Sequence, residues 1–143
     1  MKVGVTGTRS GMTEAQFDAV KFYLEQLIND RETGEEMEFH HGDCVGVDVE
    51  TAILAASLGY YVVNHPPIKD ELRAYHHSHQ HREPLSYFAR NRNIVDDTDM
   101  LFVVPYQMEW QPNGGTWYTN DYAIKKQKSK IIFWPDGTTQ TSV

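Results

Sequence analysis

The chain has 143 residues, 40% of them apolar, which suits one compact domain with its own core. Its 13 Lys and Arg residues against 20 Asp and Glu give a net charge of −7, which disfavours broad electrostatic binding to nucleic acid. The single cysteine, Cys44, leaves no partner for a disulfide within the chain and is typical of a cytoplasmic protein. The sequence starts like a strand, so we expect no secretory signal, and no apolar run approaches the roughly 20 residues of a membrane span.

The first predicted unit is a strand, a tight turn and a helix. Residues 2–6 predict a short buried strand, residues 7–11 a glycine-flanked turn, and residues 13–29 a helix. Thr13 and Gln16 have the spacing of a capping box at the start of that helix. Apolar side chains then recur three and four residues apart and predict one buried face: Phe17, Val20, Leu24, Leu27 and Ile28.

The rest of the chain repeats this alternation with one interruption. Residues 37–41 predict a second strand, followed by a glycine turn at 42–46 and a helix that stops at Gly59. The interruption, residues 65–85, is a long loop with four histidines, and loops of that length are usually functional or mobile. The remaining predicted strands are residues 60–64, 100–104 and 130–134, the remaining helices are residues 86–96 and 116–127, and residues 135–143 form a polar tail.

Five strands alternating with helices predict a single Rossmann-like, three-layer α/β domain spanning residues 1–143. Right-handed crossovers then favour a five-stranded parallel sheet with strand order 3-2-1-4-5. In such a sheet, ligands bind beyond the carboxyl ends of the strands, at the point where the order reverses. That point lies between the first and fourth predicted strands.

Three glycine turns are predicted to converge into an anion site at this edge. Backbone N–H groups of a strand–turn–helix junction are free to bind phosphate, and all three turns occupy such a junction. Gly7, Thr8 and Arg9 form the first turn, with a fixed positive charge, and Gly42 and Asp43 begin the second. Gly114, Gly115 and Thr116 form the third, with two residues that admit a close ligand and a hydroxyl at the helix start.

The other candidate residues each allow two interpretations. Arg90 and Arg92 point roughly 200° apart on a helix, so one of them is expected to face solvent. Asp48 either binds a ribose hydroxyl or simply favours its own helix N-terminus. Cys44 lies before a helix but has no base assigned to it. The loop histidines have metal-compatible spacing without a supporting carboxylate or cysteine pattern, so we predict no metal site: His76, His77, His79 and His81.

Taken together, these motifs resemble the SLOG superfamily, which joins the DNA-processing protein DprA (Smf) to the LOG phosphoribohydrolases. The resemblance covers most of the chain, and the long loop makes it most similar to the small stand-alone YspA-like members. Its motifs are Gly4-Val5-Thr6-Gly7-Thr8-Arg9, then His41-Gly42-Asp43-Cys44-Val45-Gly46-Val47-Asp48, then Arg90-Asn91-Arg92-Asn93-Ile94, and Gly114-Gly115-Thr116 continuing to Thr119.

The resemblance implies a site for a nucleotide or nucleotide-derived ligand, with phosphate held by backbone amides and arginine. The expected ligand-binding residues are Gly7, Thr8, Arg9, Gly42, Asp43, Asp48, Arg90, Asn91, Arg92, Gly114, Gly115, Thr116 and Thr119. LOG enzymes carry a catalytic glutamate three residues after the threonine of their Gly-Thr, and here that position is Thr119.

Two functions therefore stay open at this point. The first, which we favour, is binding or sensing of a nucleotide-like molecule with no cofactor required. The second is a nucleotide-processing hydrolase whose acid is displaced to Asp121 or Asp48. Binding of single-stranded nucleic acid is a weaker alternative because of the net charge, and homo-oligomerisation stays open.

Overall fold

A computed structural model describes residues 1–142 and contains one sheet with helices on both faces. The four helices are α1 Glu14–Asn29, α2 Val47–Ser57, α3 Tyr87–Asp97 and α4 Gly115–Lys125. The seven strands are β1 Lys2–Gly7, β2 Glu38–His41, β3 Tyr61–Asn64, β4 Gln80–His81, β5 Met100–Val104, β6 Ser129–Phe133 and β7 Thr139–Ser142. The protein therefore has a Rossmann-like α/β fold. No helix in residues 1–142 is long and apolar enough to cross a membrane.

The sheet has seven strands in the order β4-β3-β2-β1-β5-β6-β7, so the prediction of a five-stranded sheet is corrected. The predicted strands correspond to β1, β2, β3, β5 and β6, all parallel, and the overall order differs because a strand is added at each edge. β7 is antiparallel to β6. Residues 134–138 reverse the chain there, with Trp134 N–H donating to Thr138 O and Gly137 N–H to Trp134 O.

The added edge strands lack the apolar pattern that reveals a strand in a sequence. β4 has two residues and both are exposed. β7 consists of polar side chains and occupies residues 139–142 of the predicted tail, whose last residue, Val143, lies outside the described chain. Short or polar strands are typical of sheet edges, where they discourage pairing with other chains.

Two apolar layers hold the helices on the sheet. On one face Val3, Val5, Phe39 and Phe102 pack with the buried side of α1 and α2. On the other face, the core consists of Ile94, Val95, Leu101, Val103, Trp117, Ala123 and Ile132. Since both faces are covered, the cavities for a ligand lie at the ends of the strands.

The predicted capping box is present and also fixes the sheet. Thr13 Oγ1 accepts from Gln16 N–H at 3.0 Å, and Gln16 Oε1 accepts from Thr13 N–H at 3.0 Å. Gln16 Nε2 donates to the carbonyl oxygens of Pro105 and Phe133, beyond β5 and at the end of β6. One buried amide therefore ties the start of α1 to two strand ends.

Candidate functional site

A cavity of about 770 Å³ lies beyond the carboxyl ends of β1 and β5. Its walls come from the turn after β1, the start of α2, the start of α3, and the loop that leads into α4. Nine of the predicted ligand-binding residues line it: Gly7, Thr8, Arg9, Asp48, Arg90, Asn91, Gly114, Gly115 and Thr116. Pockets of this size are typical sites for small organic ligands and cofactors.

Arg90 is a buried structural clamp at the base of the cavity. Its Nη1 donates to the carbonyl oxygens of Gly42 and His65, and its Nε donates to Asn91 Oδ1 at 2.7 Å. Nη2 lies 3.7 Å from Cys44 Sγ. The guanidinium thus joins the ends of β2 and β3 to α3, and only Nη2 has N–H capacity left for a ligand.

Arg9 is an exposed cation at the rim of the same cavity, as is Lys69. Its guanidinium carbon lies 5.4 Å from the centre of the Tyr87 ring, and that of Arg90 lies 5.5 Å from the same ring. The aromatic face holds both cations near the cavity by cation–π attraction. An exposed guanidinium keeps its forked N–H groups available for an incoming phosphate.

Asp48 is a buried carboxyl in the cavity wall. Burial raises its pKa to about 6, against the opposing effect of the nearby Arg90 guanidinium. Its Oδ2 accepts from the Cys44 N–H at 3.2 Å. Asp48 therefore changes its protonation state close to neutral pH, and its carboxyl group is able to accept or donate a hydrogen bond to a ligand.

The start of α4 presents backbone N–H groups and open space to the cavity. Gly114 has φ of 110°, a conformation that favours glycine, and a Cβ added there would meet nothing within 4 Å. A Cβ added to Gly115 would meet only Asn91 Nδ2, at 3.7 Å. A ligand atom can therefore approach the backbone of the first helical turn, where the helix dipole favours negative charge.

Gly42 and Asp43 lie outside the cavity and hold the chain together instead. A Cβ added to Gly42 would come within 2.6 Å of Arg90 Nη1, so glycine is needed for the clamp. Asp43 Oδ2 accepts from Arg73 Nε at 2.7 Å and Oδ1 accepts from the His76 N–H at 2.8 Å. Both carboxylate oxygens of Asp43 thus fix the His-rich segment, residues 65–85.

The His-rich segment is also fixed by a buried relay. His41 Nδ1 accepts from the Asp43 N–H at 3.0 Å, so His41 Nε2 carries the proton and donates to Ser78 Oγ at 2.9 Å. Ser78 Oγ then donates to His76 Nδ1 at 2.8 Å. In this tautomer His41 cannot act as a base toward Ser78, and the three side chains link the end of β2 to the His-rich segment.

Three other predicted residues also lie away from the cavity. Arg92 Nη1 donates to Tyr118 Oη at 2.9 Å. Thr119 is buried in α4, where its Oγ1 donates to the Gly115 carbonyl at 2.7 Å. Asp121, a candidate acid, is exposed and accepts from Trp110 Nε1 at 3.2 Å.

Sequence reasoning missed two groups of residues. Tyr87 and Phe88, at the start of α3, line the cavity, and only their position next to Arg90 could have indicated this. His40 and His65 form a buried pair with Asp97 close by, on the face of the sheet opposite His41. Their proximity depends on the register between β2 and β3, which the sequence pattern does not specify.

No protein-family model matches the chain, and no curated protein matches its sequence. Three solved structures share its fold. The X-ray structure of TM1055, a structural genomics target, has 17% identity and a TM-score of 0.60, covering 90% of this chain and 71% of that one. The molybdenum cofactor binding protein from the phototrophic bacterium Rippkaea orientalis has 22% identity and a TM-score of 0.62, covering 92% and 74%.

The third structure is the molybdenum cofactor carrier protein from Chlamydomonas reinhardtii, with 19% identity and a TM-score of 0.60, covering 92% and 74%. The likeness supports the Rossmann-like fold that was expected of a SLOG-like chain. It also corrects one expectation. The sequence led us to expect that no cofactor is required, whereas two proteins of this fold are described by the cofactor that they bind or carry.

Proposed function

We propose that the protein binds a small phosphorylated heterocycle, of the nucleotide class, in the cavity beyond β1 and β5. The observation that carries the proposal is the meeting of Arg9, the glycine turn after β1 and the start of α4 around one cavity. Exposed guanidinium and N–H groups suit a phosphate. The rings of Tyr87, Phe88, Tyr106 and Trp117 line the same space and suit a planar heterocycle.

A molybdenum cofactor is a second ligand candidate for this cavity, because one protein of the same fold is described as a molybdenum cofactor binding protein and another as a molybdenum cofactor carrier protein. The open space next to the Gly115 backbone fits an anionic group of such a ligand, which Arg9 and the first N–H groups of α4 would hold. Under this candidate the protein binds and shields the cofactor, and the metal chemistry belongs to the cofactor.

Calorimetry with AMP, adenosine and inorganic phosphate tests the first candidate. We expect AMP to bind more tightly than adenosine, because the guanidinium and N–H groups contact the phosphate. Equal affinity for AMP and adenosine would contradict a phosphate site. Native mass spectrometry of the purified protein, together with a molybdenum assay, distinguishes a retained nucleotide from a retained molybdenum cofactor.

A nucleotide hydrolase is the alternative function, and one observation favours it. Asp48 lines the cavity with its pKa raised to about 6, which suits a general acid near neutral pH. The test is chromatographic detection of free base released from AMP, with Asp48→Asn and Asp121→Asn as matched variants. Turnover of roughly 1 per second or faster, lost in Asp48→Asn alone, would establish the hydrolase and displace the binding-module proposal.

A further inference from the structure

A second cluster of side chains lies outside the ligand cavity, on the α3 side of the sheet. It consists of His40 in β2, His65 just after β3, and Asp97 at the end of α3. One ligand atom from each residue lies within 4.8 Å of the other two. His40 pairs with Val63 across β2 and β3, so His65, two residues later, lies on the same face as His40.

The two histidines are buried and their ring nitrogens face each other. His40 is 0% exposed and His65 is 2% exposed. His40 Nδ1 lies 2.8 Å from His65 Nε2, and His40 Nε2 lies 2.8 Å from Glu38 Oε1. Because a carboxylate oxygen of Glu38 accepts a hydrogen bond from Nε2–H, His40 keeps a lone pair on Nδ1.

The cluster brings together two imidazole rings and one carboxylate. Neutral imidazole and carboxylate together are donors that suit Zn²⁺ and related divalent ions.

We propose that His40 Nδ1, His65 Nε2 and one oxygen of Asp97 bind a divalent transition metal of the Zn²⁺ class. A metal would replace the hydrogen bond between the two rings, whose nitrogens are 2.8 Å apart and so within about 1 Å of the nitrogen–nitrogen separation of a tetrahedral site. His65 Nε2 carries the hydrogen of that bond, and metal binding would shift it to His65 Nδ1 or release it to solvent. Glu38 would then orient His40 through Nε2–H, an arrangement common for metal-bound histidines. Three protein ligands leave the fourth position for water or another molecule.

The charge around the cluster is balanced. Glu38 and Asp97 contribute two negative charges. Arg82 contributes one positive charge through its 2.8 Å ion pair with Asp97 Oδ2, and Arg90 contributes another through its hydrogen bond to the His65 carbonyl. The local formal charge is therefore zero before a metal binds. Arg82 and Asp97 are 38% and 34% exposed, so the ion pair is able to open and leave a carboxylate oxygen for the metal.

One ring of the cluster borders a second cavity. A smaller cavity of about 240 Å³ is lined by His65, Arg82 and Arg90, among others. Arg90 also lines the large cavity, so the proposed metal and the proposed ligand would lie on opposite sides of one guanidinium. The metal proposal stands on different residues from the ligand site and does not depend on what binds there.

The test is titration of the tag-free protein with Co²⁺, followed by competition with Zn²⁺. We expect one equivalent of Co²⁺ to give the visible absorption band of a tetrahedral site, and Zn²⁺ to abolish that band. His65→Gln and Asp97→Asn should each weaken binding by at least about tenfold, and Glu38→Gln by roughly 10–100-fold through the orientation of His40.

Two exposed histidines provide the control. A variant with His77 and His81 both replaced by Gln should retain the Co²⁺ band and affinity, because these side chains are exposed and outside the cluster. Asp97→Asn changes a half-buried position, so it tests the site even if a His65 variant misfolds. The proposal is overturned if wild type gives no tetrahedral band, if Asp97→Asn binds as wild type does, or if only the double histidine variant loses binding.

Discussion

At the scale of the residue, Arg9 and Arg90 line one cavity but differ in what holds them. Arg90 is buried and donates to Gly42, His65 and Asn91, so most of its hydrogen-bonding capacity serves the fold. Arg9 is exposed and lies against the Tyr87 ring. Since Arg9 is exposed and lies in the cavity wall next to the glycine turn, it is a better candidate than Arg90 to contact a phosphate directly.

Arg9→Ala is therefore expected to weaken binding of a phosphorylated ligand by roughly 1.5–3 kcal/mol, the scale of a charge-assisted hydrogen bond. Folding should be nearly unchanged because the side chain is exposed. Calorimetry measures the affinity, and Arg92→Ala is the matched control, because Arg92 bonds Tyr118 outside the cavity. Equal losses in both variants would mean that net charge, rather than a contact from Arg9, governs affinity.

Gly115→Val tests whether a ligand occupies the open space next to the Gly115 backbone at the start of α4. An added Cβ would meet only Asn91 Nδ2 at 3.7 Å, so the side chain would occupy space that a ligand needs without disturbing the helix. We expect at least a tenfold loss of ligand affinity with little change in thermal unfolding. Calorimetry measures the ligand affinity, and circular dichroism measures the thermal unfolding. Wild-type affinity in this variant would place the ligand elsewhere in the cavity.

At the scale of the element, the His-rich segment is bound to the sheet at several points. The Asp43 carboxylate accepts hydrogen bonds from the Arg73 side chain and the His76 backbone, and the backbones of Cys44 and Arg73 form an isolated antiparallel β-bridge. β4 adds Gln80 and His81 to the sheet edge. A long loop that the sequence describes only as functional or mobile is thus a second layer over the ends of β2 and β3. Through Asp43 and Cys44 it supports the turn that leads into α2, the helix that carries Asp48.

Asp43→Asn is expected to loosen this segment selectively. Asp43 has φ of 58°, a left-handed conformation that asparagine also tolerates, so the backbone is preserved while the charge on Arg73 loses its partner. Faster hydrogen exchange and proteolysis in residues 70–79 are the expected outcome, measured by mass spectrometry. Glu71→Gln, at an exposed position of the same segment, should exchange as wild type does. Uniform loosening of the whole chain would contradict the assignment.

The sequence was most informative where backbone geometry alone decides the outcome. Glycine turns after apolar strands must meet at one edge of a parallel sheet, which is why Thr8, Asp48 and Gly115 could be placed together from the sequence. Side-chain direction was not predictable in the same way. Asp43 and Arg92 occur in the expected motifs, yet tertiary partners that no local pattern indicates turn them away from the cavity.

At the scale of the whole molecule, the buried carboxyl of Asp48 makes the stability of the fold depend on pH. Asp48 has a pKa of about 6 in the folded protein, above the ordinary value of 3.8, because burial disfavours the charged form. Between these two pH values the folded chain binds a proton that the unfolded chain has released. The contribution of Asp48 to stability is therefore present at low pH and is lost as pH rises through about 6.

Asp48→Asn removes this dependence. As pH falls from 7 to 4, wild type should gain stability relative to the variant by up to about 3 kcal/mol, the energy of a two-unit pKa difference. Urea denaturation of both proteins across this range measures the difference, and the other titrating groups cancel in the comparison. A difference that stays constant with pH would mean that Asp48 ionises as an ordinary exposed carboxyl does.

The central position of β1 also has a consequence for biosynthesis. β1 is translated before the other strands of the sheet, but its partner β5 begins at Met100, so Val3 pairs with a residue emerging from the ribosome 97 residues later. Until then the nascent β1 is able to pair only with β2, and the backbone N–H and C=O groups on its other edge stay unpaired. Contacts this distant in the chain form late and leave apolar edges exposed to misassociation, so the period before residue 104 is synthesised is when a nascent chain of this fold most needs protection.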